Sequence, residues 1–289
     1  LPDVNARANY AIFMAFMIKK MINEIIAPVP YLAPYITNYF IIEFHDDSEA
    51  RSFLKVPPLG FPVIQFHYGE RASFYNRPEF KDESLIIGQQ THHVSLAPVA
   101  GTKFIGINFT PTGLFELTGI FMNQLTNGGI DGYSFFNQKM LNSFLKELRN
   151  SITYEDKVQL TENFLKEQLF PVKFAVPEYI KTIISEIQSE NGLVRIADFA
   201  VKHQRTIRTL ERNFLKYAGV CPKIFAQILR HRLIIAEIYE KKNPDWQNCV
   251  YKGFYHDQSH FIKDFKAFTA VSPLRYLPSI NLFAEKILR

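Results

Sequence analysis

Cysteine is scarce: only Cys221 and Cys249 occur in 289 residues. Two thiols cannot build a disulfide framework, so stability must come from packed cores, and the count fits a reducing compartment. There is no Cys-x-x-Cys pair for structural zinc and no His-x-His pair. No apolar run reaches the roughly 18 residues of a membrane-crossing helix. A glycine-rich phosphate loop, a nucleophile elbow and a zinc-protease helix are all missing, which removes the enzyme classes built on them. Glycine is plentiful only at the front: ten of the 13 precede residue 133 and three follow residue 190. What is abundant is apolar surface, with 47% hydrophobic residues.

The charge is also uneven. The net +5 divides into −3 over residues 1–170 and +8 over residues 171–289. A polyanionic partner is therefore expected at the back of the chain. The chain opens on Leu1, so a fragment or a processed form is expected. The apolar run Tyr10 to Ile18 is followed by Lys19 and Lys20, whereas a secretory signal carries its lysines ahead of the run. Residues 1–20 are read as a peripheral helix, or as lying upstream of a native start near Met17 or Met21.

The front region alternates short apolar runs with Gly, Pro and Asn. Pro62 to Tyr68, Leu85 to Gly88, His93 to Leu96 and Lys103 to Phe109 each have strand length, which predicts a β-barrel or sandwich. A helix-like stretch starts at Pro111. From Phe135 to Leu169 the spacing is helical, with Leu141, Phe144, Leu145 and Leu148 on one face and Leu160, Phe164 and Leu165 on another. His45, His67, His92 and His93 lie here. Cupin-like barrels can hold a metal between strands, but adjacent His92 and His93 would point to opposite faces. Ordinary surface or core histidines are the expectation, with no metal and no cofactor.

Pro171 and Pro177 bracket a connector, after which the chain reads as helices and contains a repeat. Thr206 is followed by Leu210 and Phe214, and Asp257 by Phe261 and Phe265. Thr206 and Asp257 can cap a helix start, and the i, i+4 apolar pair then faces inward. The outward positions are Arg208, Glu211 and Arg212 in one stretch, and Ser259, His260 and Lys263 in the other. Each follows a shorter apolar helix, Val194 to Ala200 or Trp246 to Val250. Between them Ile224, Ile228, Leu233, Ala236 and Tyr239 mark one long helix over Lys223 to Tyr239. Short helix, tight turn and second helix make a helix-turn-helix. Periodicity alone is equally met by a helical bundle with two solvated faces.

The residue identities discriminate. Asp257 to Thr269 followed by Val271-Ser-Pro273, Arg208 to Arg212 with Phe214, Gly219 to Lys223, and Arg232 to Ala236 closely resemble the signature of the AraC family of bacterial transcription regulators. The resemblance covers about residues 178–276. The sequence departs from the pattern where Gln204 and Phe254 stand for a turn glycine, with Gly253 one place early, where Val250 replaces an alanine, and where Cys221 replaces a serine. Cys221 reads as a small apolar substitute at a joint or as a redox sensor, and Cys249 as core. Leu32 to Ile36, Gly88 to Thr91 and Gly106 to Leu114 resemble a sensor-like domain of unknown ligand that precedes such DNA-binding regions.

The expected fold is α+β in two domains. A mainly β, barrel or cupin-like front domain with trailing helices spans 21–170, then a linker 171–177. An all-α domain with two helix-turn-helix units joined by a long helix spans 178–276, and a tail runs over 277–289. The resemblance implies a cytoplasmic regulator, an activator or a repressor, with no enzymatic activity. Its implied partners are double-stranded DNA, RNA polymerase, a small-molecule effector and a second copy of the chain, with no membrane. DNA contacts are expected from Arg205, Thr206, Arg208, Glu211, Arg212, Gln258, Ser259, His260 and Lys263. His203 and His231 are read either as approaching phosphates or as solvated, and Lys216 as a phosphate contact. The rivals are a metal-dependent, cupin-like enzyme with a helix-turn-helix appendage, and a protein-interaction module that has lost DNA binding.

Overall fold

A computed structural model describes residues 24–45, 54–74, 83–240, 257–273, 275 and 276. The expectations for residues 1–20, for the helix over Trp246 to Val250 with Cys249, for Gly253 and Phe254, and for the tail 277–289 lie outside them.

Nine strands are present among the described residues: β1 (Glu24–Ile26), β2 (Ile36–Glu43), β3 (Leu54–Val56), β4 (Val63–His67), β5 (Ser73–Phe74), β6 (Ser84–Ile87), β7 (Val94–Ala97), β8 (Lys103–Phe109) and β9 (Gly129–Asp131). Six form one sheet in the order β1-β2-β8-β4-β6-β9, and three form another in the order β3-β7-β5. Pairing within the named strands is antiparallel. Of the barrel or sandwich expected, the described residues show two sheets, with β1 and β9 at the edges of the larger one and no barrel closure among them. Nothing in the local pattern of a strand says whether the ends of a sheet meet.

The large sheet is covered on both faces. Phe40, Ile42, Leu85, Ile87 and Phe104 pack with Phe74, Val94 and Leu96 of the small sheet. Tyr39, Ile41, Ile64, Phe66, Ile86, Ile105 and Ile107 pack instead with helices. This alternation of partners is the period-2 geometry of strands. Gly106 is required in β8 because the Phe40 ring crosses its backbone where a Cβ would stand.

The helices are α1 (Gly113–Thr118), α2 (Gln138–Asn150), α3 (Tyr154–Leu169), α4 (Glu178–Ser189), α5 (Ile196–Lys202), α6 (Ile207–Ala218), α7 (Pro222–Glu240) and α8 (Gln258–Thr269). Asn137 and Thr153 cap α2 and α3 by accepting from the Met140 and Asp156 amides. The predicted stripe Leu141, Phe144, Leu145 and Leu148 is buried. Phe144 stacks on Phe164 at 4.4 Å, and both meet Phe66 of the sheet. This aromatic knot fixes the α2–α3 pair on the sheet.

The connector does not separate two cores. Ile180, Ile183, Phe199, Leu210, Phe214 and Phe225 belong to the same hydrophobic cluster as Phe66 and Leu145. Phe115 of α1 meets Tyr217 of α6 edge-to-face at 4.9 Å. Lys181 of α4 pairs with the buried carboxylate of Glu116 at 2.5 Å, and Thr112 donates to the same carboxyl group at 3.0 Å. Among the described residues no helix is long and apolar enough to cross a membrane.

Candidate nucleic-acid interface

The first candidate unit is built from α5, a four-residue turn and α6. Phe199 and Ala200 are the buried side of α5. The turn follows from backbone bonds: His203 N–H donates to Phe199 O, Gln204 N–H to Val201 O and Arg205 N–H to Ala200 O. Gln204 takes φ +49°, the left-handed conformation that favours glycine, at the position where the AraC-like pattern has a turn glycine. Thr206 then starts α6 with extended backbone, its hydroxyl accepting from the Thr209 amide at 3.1 Å. Leu210 and Phe214 are fully buried. Arg205, Thr206, Arg208, Glu211 and Arg212 are all exposed.

Tyr179 is a residue the sequence reading missed. Its ring lies 5.3 Å beneath the Arg205 guanidinium, and its hydroxyl accepts from the Asn213 amide. It thereby ties the start of α6 and its second turn to α4. A tyrosine two residues after Pro177 carries no signal of this role. The Lys216 ammonium lies over Phe121, 4.8 Å from the ring centre.

The second candidate helix, α8, begins at Asp257, whose carboxylate accepts from the His260 amide at 2.8 Å. Phe261 and Phe265 are buried, while Gln258, Ser259, His260 and Lys263 are exposed. His260 Nε2 lies 3.7 Å from the Asp264 carboxylate, one helical turn on. Asp264 also accepts from the Gln227 side chain of α7 at 2.5 Å. Asp264 is thus the link between the long helix and the exposed face of α8, and it too was missed.

His231 must be corrected. It is neither solvated nor aimed at a phosphate. It is buried in α7, parallel to Phe268 of α8 with ring centres 4.0 Å apart, and its Nδ1 lies 2.9 Å from Gln227 O. Burial holds its pKa down to about 4, so it is neutral at pH 7. Four-residue spacing sets it in line with Ile235, which is buried on the same helix. His203 is half-buried at the end of α5, beside Tyr179.

Of the front-region histidines, His67 is buried against Phe104 and pushed down to about 4 by burial, with the Arg71 charge adding to the shift. His45 sits 3.8 Å from Glu43, and His92 is exposed, 2.9 Å from the Thr91 hydroxyl. Among the described residues no group of three or more His, Cys, Asp or Glu side chains is placed to hold a metal ion. Cys221 is half-buried at the start of α7, where its carbonyl accepts from the Phe225 amide.

Residues 24–131 match a family described as a domain of unknown function, DUF6597. Comparison with curated proteins by sequence gives no match. Among solved structures, the chain is similar to ToxT from Vibrio cholerae. One such structure has 13% identity and a TM-score of 0.43, covering 84% of this chain and 98% of that one. The structure from strain O395 has 14% identity and a TM-score of 0.40, covering 85% and 97%. A wild-type structure bound to unsaturated fatty acid, from strain SCE256, has 11% identity and a TM-score of 0.39, covering 84% and 94%.

Proposed function

We propose that the chain is a sequence-specific, DNA-binding transcription regulator of the AraC type, in which α6 and α8 are the reading helices and the front region receives the controlling signal. One observation carries this reading. Two helices in the basic part of the chain each start at a side-chain cap, bury an i, i+4 apolar pair and leave the predicted reading residues exposed. The AraC-like motifs fall on these same helices and on the long helix between them.

The chemistry of the exposed faces suits duplex DNA. Arg208 and Arg212 can each bond a guanine edge in two places, and Glu211 can accept from a cytosine amino group. Gln258, Ser259, His260 and Lys263 offer donors at the start of α8. Arg205 and Thr206 stand where helix N-terminal amides point outward, a place that favours phosphate. The two helices would enter successive major-groove faces, about 34 Å apart, so one chain would cover two half-sites. No catalytic step belongs to this reading.

The test is a mobility-shift titration of the full chain on duplex DNA at about 50 mM and about 200 mM salt. Neutralising six or more phosphates lowers affinity by about a thousandfold over that range. Binding that is absent at the lower salt, or equal at both, would overturn the proposal.

A further inference from the structure

A polar cleft of about 490 Å³ opens on the front region, between the ends of β2, β4 and β8 and the loop that joins α2 to α3. It lies among residues that the DNA-binding reading does not use. Its volume is that of a small-molecule site.

The charges in it are arranged unusually. Lys157, in the first turn of α3, is only 4% exposed. Its ammonium donates to the carbonyl and hydroxyl of Ser151, at 2.5 and 3.0 Å, and lies 4.9 Å from the centre of the Tyr68 ring. Those partners are all neutral. No carboxylate among the described residues lies within ion-pair distance of it. Lys103 lines the same cleft, and it too has no ion pair among the described residues. Of the other charged groups, Arg149 and Glu43 are engaged, while the exposed Glu155 carboxylate also borders the cleft. Arg149 is paired with Glu83 at 2.5 Å, and Glu43 accepts from the Tyr68 hydroxyl at 2.6 Å.

Burying a cation without a counter-ion is costly, and proteins seldom retain one without a use. Burial lowers the affinity of Lys157 for its proton; Glu43 exerts the strongest opposing pull, the Lys103 charge adds to the lowering, and Asp156 opposes it. An added anion would relieve both effects. Tyr154 and Glu155, whose first-turn amides have no acceptor within the helix, line the same cleft. Those amides add to the positive character of this end.

We infer that this cleft binds a small molecule through a carboxylate or phosphate group, which Lys103 and Lys157 hold between them. The binding stands independently of DNA recognition. If the front region is the receiving part of a regulator, the site assigns its signal to an organic anion.

The experiment is isothermal titration calorimetry of the full chain with three probes: succinate, inorganic phosphate and the uncharged succinamide. Saturable binding of succinate or of phosphate, and none of succinamide, is expected. Which anion binds distinguishes the carboxylate from the phosphate source. Lys103→Gln should weaken that binding tenfold or more, and Lys157→Met should abolish it. Lys202→Gln, in α5, should bind as the parent does. Circular dichroism checks that each variant is folded, and Lys103→Gln, on a half-exposed residue, decides the matter if Lys157→Met does not fold. The inference is overturned if neither anion saturates the protein, if succinamide binds equally well, or if Lys103→Gln binds as tightly as the parent.

Discussion

Two histidines, His67 and His231, are buried in their neutral form, and acid should expose that. Each has a folded-state pKa near 4, set mainly by burial, against about 6.5 in the unfolded chain. The folded pKa of a base is here depressed, so its stabilisation is complete above pH 6.5 and is lost as pH falls towards 4. At pH 5 the unfolded chain holds nearly one proton per histidine that the folded chain refuses. Linkage makes that about 2 kcal/mol of lost stability for each, or about 4 kcal/mol together. Urea unfolding of the full chain, followed by far-ultraviolet circular dichroism at pH 7 and pH 5, measures it. His231→Phe keeps a flat ring against Phe268 and removes the titrating group. Any packing cost of the larger ring is the same at both pH values, so the difference between them isolates the proton. That difference should shrink by about 2 kcal/mol in His231→Phe, and by a similar amount in His67→Phe. If His231→Phe and the parent lose the same stability on acidification, His231 is not a buried neutral group and the account of the α7–α8 junction fails.

Arg208→Ala and Arg212→Ala should each relax base preference in one half-site and cost about 1–3 kcal/mol, read by competition between an operator and its single-base variants. Equal losses on every variant would mean that these residues only hold phosphates. Thr206→Ala should destabilise the chain by about 1 kcal/mol in urea, while Thr206→Ser should lose much less because it keeps the capping oxygen; equal losses would remove the cap from the argument. Trypsin should cut first at Lys173, which is exposed in the connector, and the two pieces should co-elute in gel filtration because the hydrophobic cluster crosses the cut. Separation of the pieces would contradict a shared core.

The back of the chain was more legible than the front, for a physical reason. Helix caps, i, i+4 apolar pairs and the turn at Gln204 are all local, so Thr206, Asp257, Leu210–Phe214 and Phe261–Phe265 could be placed from neighbours in sequence. The strands at Val63–His67, Ser84–Ile87, Val94–Ala97 and Lys103–Phe109 were marked by flanking turn residues. β2 was not, because the run Ile36–Glu43 is buried on both sides and shows no polar alternation. β1, β3 and β9 are three residues each, too short for any period. The pairings that matter most connect distant segments: Glu116 with Lys181, Tyr179 with Asn213, and His231 with Phe268. No local pattern announces them. The lysines of the cleft escaped for the same reason, since Lys103 and Lys157 meet only when α3 lies across the sheet.

The segment Phe121 to Gly128 shows how the two textures of the chain are joined. On one side it is fixed to the end of β6. Gly88 N–H donates to Gly128 O at 3.1 Å, Asn127 N–H donates to Gln89 O at 2.9 Å, and the Asn127 side chain accepts from the Thr91 amide at 2.7 Å. Gly88 has no room for a Cβ against the Leu125 backbone. On its other side the segment holds the C-terminal end of α6. The Thr126 hydroxyl donates to Gly219 O, and Lys216 lies over Phe121. Gly219 itself, at φ +85°, ends α6 by donating to Phe214 O and Leu215 O. A path of hydrogen bonds thus runs from the sheet to the last turn of the helix that carries Arg208 and Arg212. The start of that helix is tied elsewhere, through Arg205 and Tyr179 to α4, and Lys181 ties α4 back to Glu116 in α1. Both ends of α6 are therefore referenced to the front region. Its exposed face cannot turn relative to the large sheet without breaking one of these two sets of contacts.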